Sequence, residues 1–176
     1  MIQTVNCKIK GSSAVLMHRL PLDPVAGMEK KKPEEQAEES AYRLPNGELY
    51  FPGPNLQRAL ISGSKFSKGK GRSSLATVAA ACLMVPQEHL LFGCRKFEVD
   101  SWAVVVPATK GRIVRHRPRL DDWSLSFPLE YDDELLSENQ VRQIVDDTGL
   151  RVGIGDFRPE KKGPFGRFKV IEWDFS

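Results

Sequence analysis

Apolar and polar side chains alternate along residues 2–10, with Val5, Cys7 and Ile9 on one side and Asn6, Lys8 and Lys10 on the other. A period of two is that of a strand buried on one face. Gly11-Ser12-Ser13 ends it, and residues 14–17 read as a short apolar continuation. The same alternation returns at residues 123–131, where Trp123, Leu125, Phe127, Leu129 and Tyr131 share a side. Pro128 cannot donate to a ladder, so this strand is expected at an edge or with a bulge. After Pro52-Gly53-Pro54-Asn55 the spacing becomes helical: Leu56, Ala59, Leu60 and Gly63 fall on one face, while Gln57, Arg58 and Ser62 point away. Ser137 caps a further helix with acids in its first turn, the stripe Val141, Ile144 and Val145, and Gly149 as its stop. Residues 165–175 carry apolar side chains on both faces, which predicts an interior strand paired on both edges.

Weaker signals fill the gaps. Pro45-Asn46-Gly47 is a turn joining 42–44 to 48–51 as a short hairpin. Residues 76–81 read as a helical turn running into an apolar strand near 82–85, and strands over 97–106 and 113–119 flank Pro107 and Lys110-Gly111. The charged run 29–39, with Pro33 inside it, predicts an exposed insertion. The order strand, helix, strands, helix, strand predicts an α+β fold: a ferredoxin-like or RRM-like split βαβ antiparallel sheet with helices on one face. The whole chain, 1–176, is expected to be one such domain, with insertions at 18–41, 64–74 and 107–119 and a protruding hairpin.

Composition narrows the class. With 40% hydrophobic and 28% charged residues the chain is ordinary for a globular protein, and a net charge of +3 excludes little. The distribution says more, because no acid occurs between Glu48 and Glu88. Cationic regions on a near-neutral protein predict one positive face. Cys7, Cys82 and Cys94 lack metal-ligand spacing, so neither a metal site nor a disulfide framework is expected, and a reducing compartment fits. The apolar run 75–85 is too short to cross a bilayer, and the N-terminus does not read as a signal peptide. A cytoplasmic protein without a membrane partner or cofactor is expected.

Three cationic segments carry the candidate chemistry. Lys65, Lys68, Lys70 and Arg72 form a loop that can exchange with the counterions of a phosphate backbone or simply remain solvated. Lys110, Arg112, Arg115, Arg117 and Arg119 lie on the second hairpin; Arg112, Arg115 and Arg117 form one ionic face or pair with Asp121 and Asp122. Residues 152–169 alternate four glycines with Arg158, Lys161, Lys162, Arg167 and Lys169, and Phe165 either stacks on a base or belongs to the core. For catalysis, His18 beside Arg19 and Asp23 is the candidate acid–base group. A Walker motif and a nucleophile–base pair are lacking.

Two stretches carry a family likeness. Leu44-Pro-Asn-Gly-Glu-Leu-Tyr-Phe-Pro-Gly-Pro-Asn-Leu-Gln-Arg-Ala-Leu-Ile-Ser62 resembles the turn, apolar strand, Pro-Gly and helix signature of the RAMP superfamily of CRISPR-associated proteins. Phe51-Pro-Gly-Pro-Asn-Leu-Gln-Arg58 stands where that family has Ile-Pro-Gly-Ser-Ser-Leu-Lys-Gly. Gly153-Ile-Gly155 with Phe165-Gly-Arg-Phe168 resembles its C-terminal glycine-rich loop and last strand. The likeness spans about a third of the chain and is best to the backbone subunits that polymerise along guide RNA; the chain's shortness fits a compact or virus-borne relative.

What the resemblance implies is a non-catalytic RNA-binding subunit with an RRM-like palm, homo-oligomeric along a guide RNA that can pair with a target strand. Arg19, Arg58 and the three cationic segments would hold the strand, and the 108–119 hairpin would be the protrusion that wedges between bases. The family also contains metal-independent endoribonucleases that use a His, which would be His18, and backbone subunits that use a loop Asp, for which Asp23 is the positional candidate. A third reading is a structural protein that self-assembles through cations meeting a neighbour's Asp146 and Asp147.

Overall fold

The structure, a computed structural model, describes residues 1–20, 30–69 and 74–176. The alternating segments form the expected antiparallel sheet. Strand β1 (Ile2–Gly11) lies between β8 (Ser124–Asp132) and β9 (Phe168–Phe175), and β4 (Leu83–Met84) extends the other side of β8, giving the order β4-β8-β1-β9. Helices α2 (Gly53–Gly63) and α3 (Ala76–Cys82) connect β1 to β4, while α4 (Glu138–Asp147) connects β8 to β9. These interleaved βαβ units make the fold α+β, with the split βαβ of ferredoxin-like and RRM-like domains.

The periodicities explain the layers. Val5, Cys7 and Ile9 of β1 and Leu125, Phe127 and Leu129 of β8 are buried in one cluster with Leu56 and Leu60 of α2 and Val141, Ile144 and Val145 of α4. The start of α4 is fixed by a reciprocal cap: the Gln140 amide donates to the Ser137 hydroxyl at 3.4 Å, and the Gln140 side chain accepts from the Ser137 N–H at 2.9 Å. Burial pushes the Cys7 thiol up to about 12, so Cys7 behaves as a core apolar group.

Several expectations change. Among the described residues, strand β9 pairs only with β1 and forms the sheet edge; Ile171 and Phe175 are exposed, so its two apolar faces do not mark an interior strand. Pro128 sits in β8 opposite Asn6 without a bulge in that pairing, because β4 reaches only Tyr131 and Glu130 and leaves Pro128 one neighbour. Gly149 does not end α4. The helix widens into a turn over Thr148–Val152, and Gly153, at φ +72°, ends it. Residues 14–17 do not prolong β1: β2 (Val15–Leu16) joins a second sheet, ordered β2-β7-β6, with β6 (Glu98–Val105) and β7 (Arg112–Leu120). Most of the expected 107–119 insertion is therefore strand, with only its tip a turn. Within 29–39, helix α1 (Pro33–Glu39) buries Gln36 and Ala37 and packs on β7, so that segment is not wholly exposed. The Gly47 hairpin forms as expected, and its second arm continues as β3 (Tyr50–Pro52), paired with β5 (His89–Leu91).

Candidate nucleic-acid interface

A cleft of about 660 Å³ opens where the two family-like stretches meet. One wall is the exposed side of α2, with Asn55, Arg58 and Ser62; the other is Gly153-Ile-Gly-Asp156 with Arg158 and Glu160; His18 and Tyr42 line it as well. Burial of Leu56 and Leu60 turns Arg58 outward. The glycine-rich wall folds back on the second sheet: the Asp156 N–H donates to the Leu16 carbonyl at 2.9 Å, and the Gly166 N–H donates to the Ala14 carbonyl at 2.7 Å. Arg158 is oriented by donating to the Gly155 carbonyl at 3.0 Å and to Glu160 at 3.1 Å. Two guanidinium groups thus face one groove, a geometry suited to phosphate oxygens.

At the floor, Asp156 contacts the Arg117 guanidinium, whose side chain is only 11% exposed, and Arg117 Nε donates to His18 Nδ1 at 3.2 Å. Arg117 is therefore a structural clamp between β7 and the loop and is not available to a ligand. Burial pushes the His18 imidazole below its ordinary 6.5; Asp156 opposes this, and the Arg117 and Arg115 charges lower it further. The 3.9 Å approach of His18 to Asp156 would be an ion pair only with a charged ring. With Nδ1 accepting from Arg117 the ring is neutral, and its proton sits on Nε2. Neither nitrogen then presents a free lone pair for taking a proton from a 2′-hydroxyl, as a His18-centred endoribonuclease requires.

This half-buried neutral histidine has a pH consequence. Between its depressed native value and 6.5 the unfolded chain binds a proton that the native state excludes, so stability falls as pH drops below about 6.5. Replacing His18 with Asn keeps an acceptor for Arg117 and removes the titration. Urea midpoints at about pH 7.5 and about pH 5 are expected to fall more on acidification for the parent than for H18N. Equal losses would contradict the assignment.

The remaining candidates divide into three groups. Arg19 is exposed beside His18, and Lys161 and Lys162 are exposed just beyond Glu160; all three are next in sequence to residues that line the cleft or to one another. Lys65 and Lys68 are exposed past the C-terminal end of α2, Lys110 and Arg112 at the tip of the β6–β7 hairpin, and Arg167 before β9. Register places Arg115, Arg117 and Arg119 on one face of β7 and Arg112 on the other, so the expected face of Arg112, Arg115 and Arg117 does not form. Arg119 pairs with Asp100 and Asp121 at 2.9 Å each, so Asp121 does take a partner from this strand.

Phe165 is 6% exposed, enclosed by Ala14, Leu16 and Phe157 with the Arg119 guanidinium 5.4 Å above its ring. No face is left for a base. Asp23, Lys70 and Arg72 lie outside the described residues. Asp146 and Asp147 are met within their own chain, by Arg142 at 3.2 Å and Arg151 at 3.2 Å.

Sequence reading missed Asp156, Asn55 and Arg151. Asp156 stands inside the glycine-rich stretch, but its partner on β7 is about forty residues earlier, and no local pattern joins them. Among the described residues, no group of His, Cys, Asp and Glu is arranged to hold a metal ion, and no helix is long and apolar enough to cross a membrane.

No family model matches the chain, and no curated protein does. Among solved structures it is similar to a chain in the cryo-EM structure of the Type III-B Cmr-beta bound to cognate target RNA, with a TM-score of 0.60 at 10% sequence identity. The likeness covers 99% of this chain and 60% of that chain, so this protein spans little more than half the length of its structural neighbour. At that identity the likeness concerns the fold, and the fold is shared across nearly all of the present chain.

Proposed function

We propose that this chain is an RNA-binding backbone subunit, adjoining copies of which coat a guide RNA or other single strand with little regard to sequence. The observation that carries this reading is the cleft that Arg58 of α2 and Arg158 of the glycine-rich loop both line. Phosphate contacts hold a strand without reading its bases, and exposed Arg19, Lys161 and Lys162 lie close in sequence to residues that line the cleft. The fold shared with a chain of an RNA-bound Cmr-beta structure supports RNA as the ligand. The exposed tip with Lys110 and Arg112 supports a hairpin that protrudes toward the strand.

The test is anisotropy of a labelled single-stranded RNA in rising salt. If about six phosphates are engaged, affinity should fall several hundredfold between roughly 50 and 200 mM salt, because each contact releases condensed counterions. Absence of salt-sensitive binding to single-stranded RNA or DNA would remove the proposal.

A further inference from the structure

We propose that Phe66, braced by Arg151, is a stacking platform for an unpaired base, eight residues beyond Arg58 and so about 12 Å along the line of α2 and the turn that follows it. It deepens the RNA-binding reading and rests on it. Among the described residues only Phe66 and Phe175 are exposed phenylalanines, and Phe66 is the more open at 55%. It follows the end of α2 in a single 3₁₀ turn, Ser64–Phe66.

The segment that carries the ring and the arginine against it are tied to one buried carboxylate, Asp147. The hydroxyl of buried Ser67, the residue next to Phe66, donates to Asp147 at 3.1 Å, and Arg151 Nε donates to the other Asp147 oxygen at 3.2 Å. The Arg151 guanidinium then lies 5.6 Å from the centre of the Phe66 ring. Close approach fixes the two pieces: at Gly63, the last residue of α2, any side chain would collide with Thr148 in the turn that carries Arg151. The result is a flat apolar ring, covered by a cation on one side, in a fixed position at the surface.

Its surroundings select the ligand. Lys65 and Lys68, on either side of Phe66 in sequence, are exposed, the Asp147 carboxylate is bonded by Ser67 and Arg151, and the chain is free of acids from residue 49 to 87. An aromatic face with Arg151 against it and exposed lysines next to it in sequence matches a polyanion that carries flat bases. Stacking on such a ring is tolerant of sequence, in keeping with a coat along a strand.

The experiment is anisotropy binding of short labelled oligouridylate to the full chain and to F66L and F66W. Leucine keeps an apolar side chain without a π face, and tryptophan enlarges that face. F66L is expected to weaken binding roughly 5- to 150-fold, the range of one lost base stack, with the salt dependence unchanged; F66W should bind at least as tightly as the parent. Because the ring is exposed, both variants should melt with the parent. Salt-sensitive binding by the parent that F66L leaves unaltered would overturn the platform while leaving RNA binding intact. A parent that binds no single strand would overturn both.

Discussion

Changing Arg58 and Arg158 together to glutamate should weaken binding of single-stranded RNA roughly a hundredfold or more. Each guanidinium faces the same cleft, and each charge-assisted contact to phosphate is worth about 1.5–3 kcal/mol, so losing two and adding repulsion compounds. Arg58 stands exposed on α2, and its replacement leaves the buried stripe of that helix untouched. Arg158 also donates to the Gly155 carbonyl and to Glu160, so R158Q is the control that keeps an amide donor there. The loss should appear in affinity while the melting temperature stays near the parent's. Unchanged affinity would show that the cleft does not hold the strand.

The largest expected loss of stability is at Gly166, which joins the glycine-rich loop to the approach to β9. Its φ is +77°, and a side chain there would run into the backbone of Ile154. Its N–H donates to the Ala14 carbonyl at 2.7 Å, and its own carbonyl accepts from Ile154 at 3.0 Å, so neither strand of backbone can move away freely. G166A should destabilise the protein by on the order of 3 kcal/mol, combining left-handed strain with a displaced loop. In a chain of this size that lowers the melting temperature by about 6–12 °C. Gly93 is the internal comparison: it has φ +75° but open space around it, so G93A should lose only about 1–2 kcal/mol. Equal effects at the two positions would contradict the packing described for the loop.

Much of the four-stranded sheet and its helices was legible because their signals are local. The alternation in β1 and β8, the stripe of α2 and the Ser137 cap each depend on residues within a few positions of one another. Strand β9 was misplaced because periodicity reports which residues are apolar, whereas its position at the sheet edge is fixed by the order of distant strands. The second sheet was only half legible: β2 has two residues, too few to carry a pattern, and it exists because β7 pairs with it. Within the candidate site, Arg58 points away from the buried stripe of α2 as its helical spacing predicted, whereas Arg158 is half-buried and paired with Glu160. The role of Arg117 was not legible, since its partner Asp156 lies across the fold and converts a hairpin cation into a clamp. Phe165 looked free beside its glycines, but those glycines allow the loop to close over it. Phe66 is the reverse case: an aromatic in a cationic loop that tertiary structure leaves open.

The central claim, that the cleft between α2 and the glycine-rich loop holds a phosphate backbone, is tested most directly by comparing the salt dependence of single-stranded RNA binding in the parent and in R58E/R158E. Each phosphate contact contributes about 0.7 to the slope of log affinity against log salt on a single strand. The account predicts a steep parental slope that becomes shallower by about 1 to 1.5 in the variant. Parallel slopes, or a parent whose binding ignores salt, would contradict it.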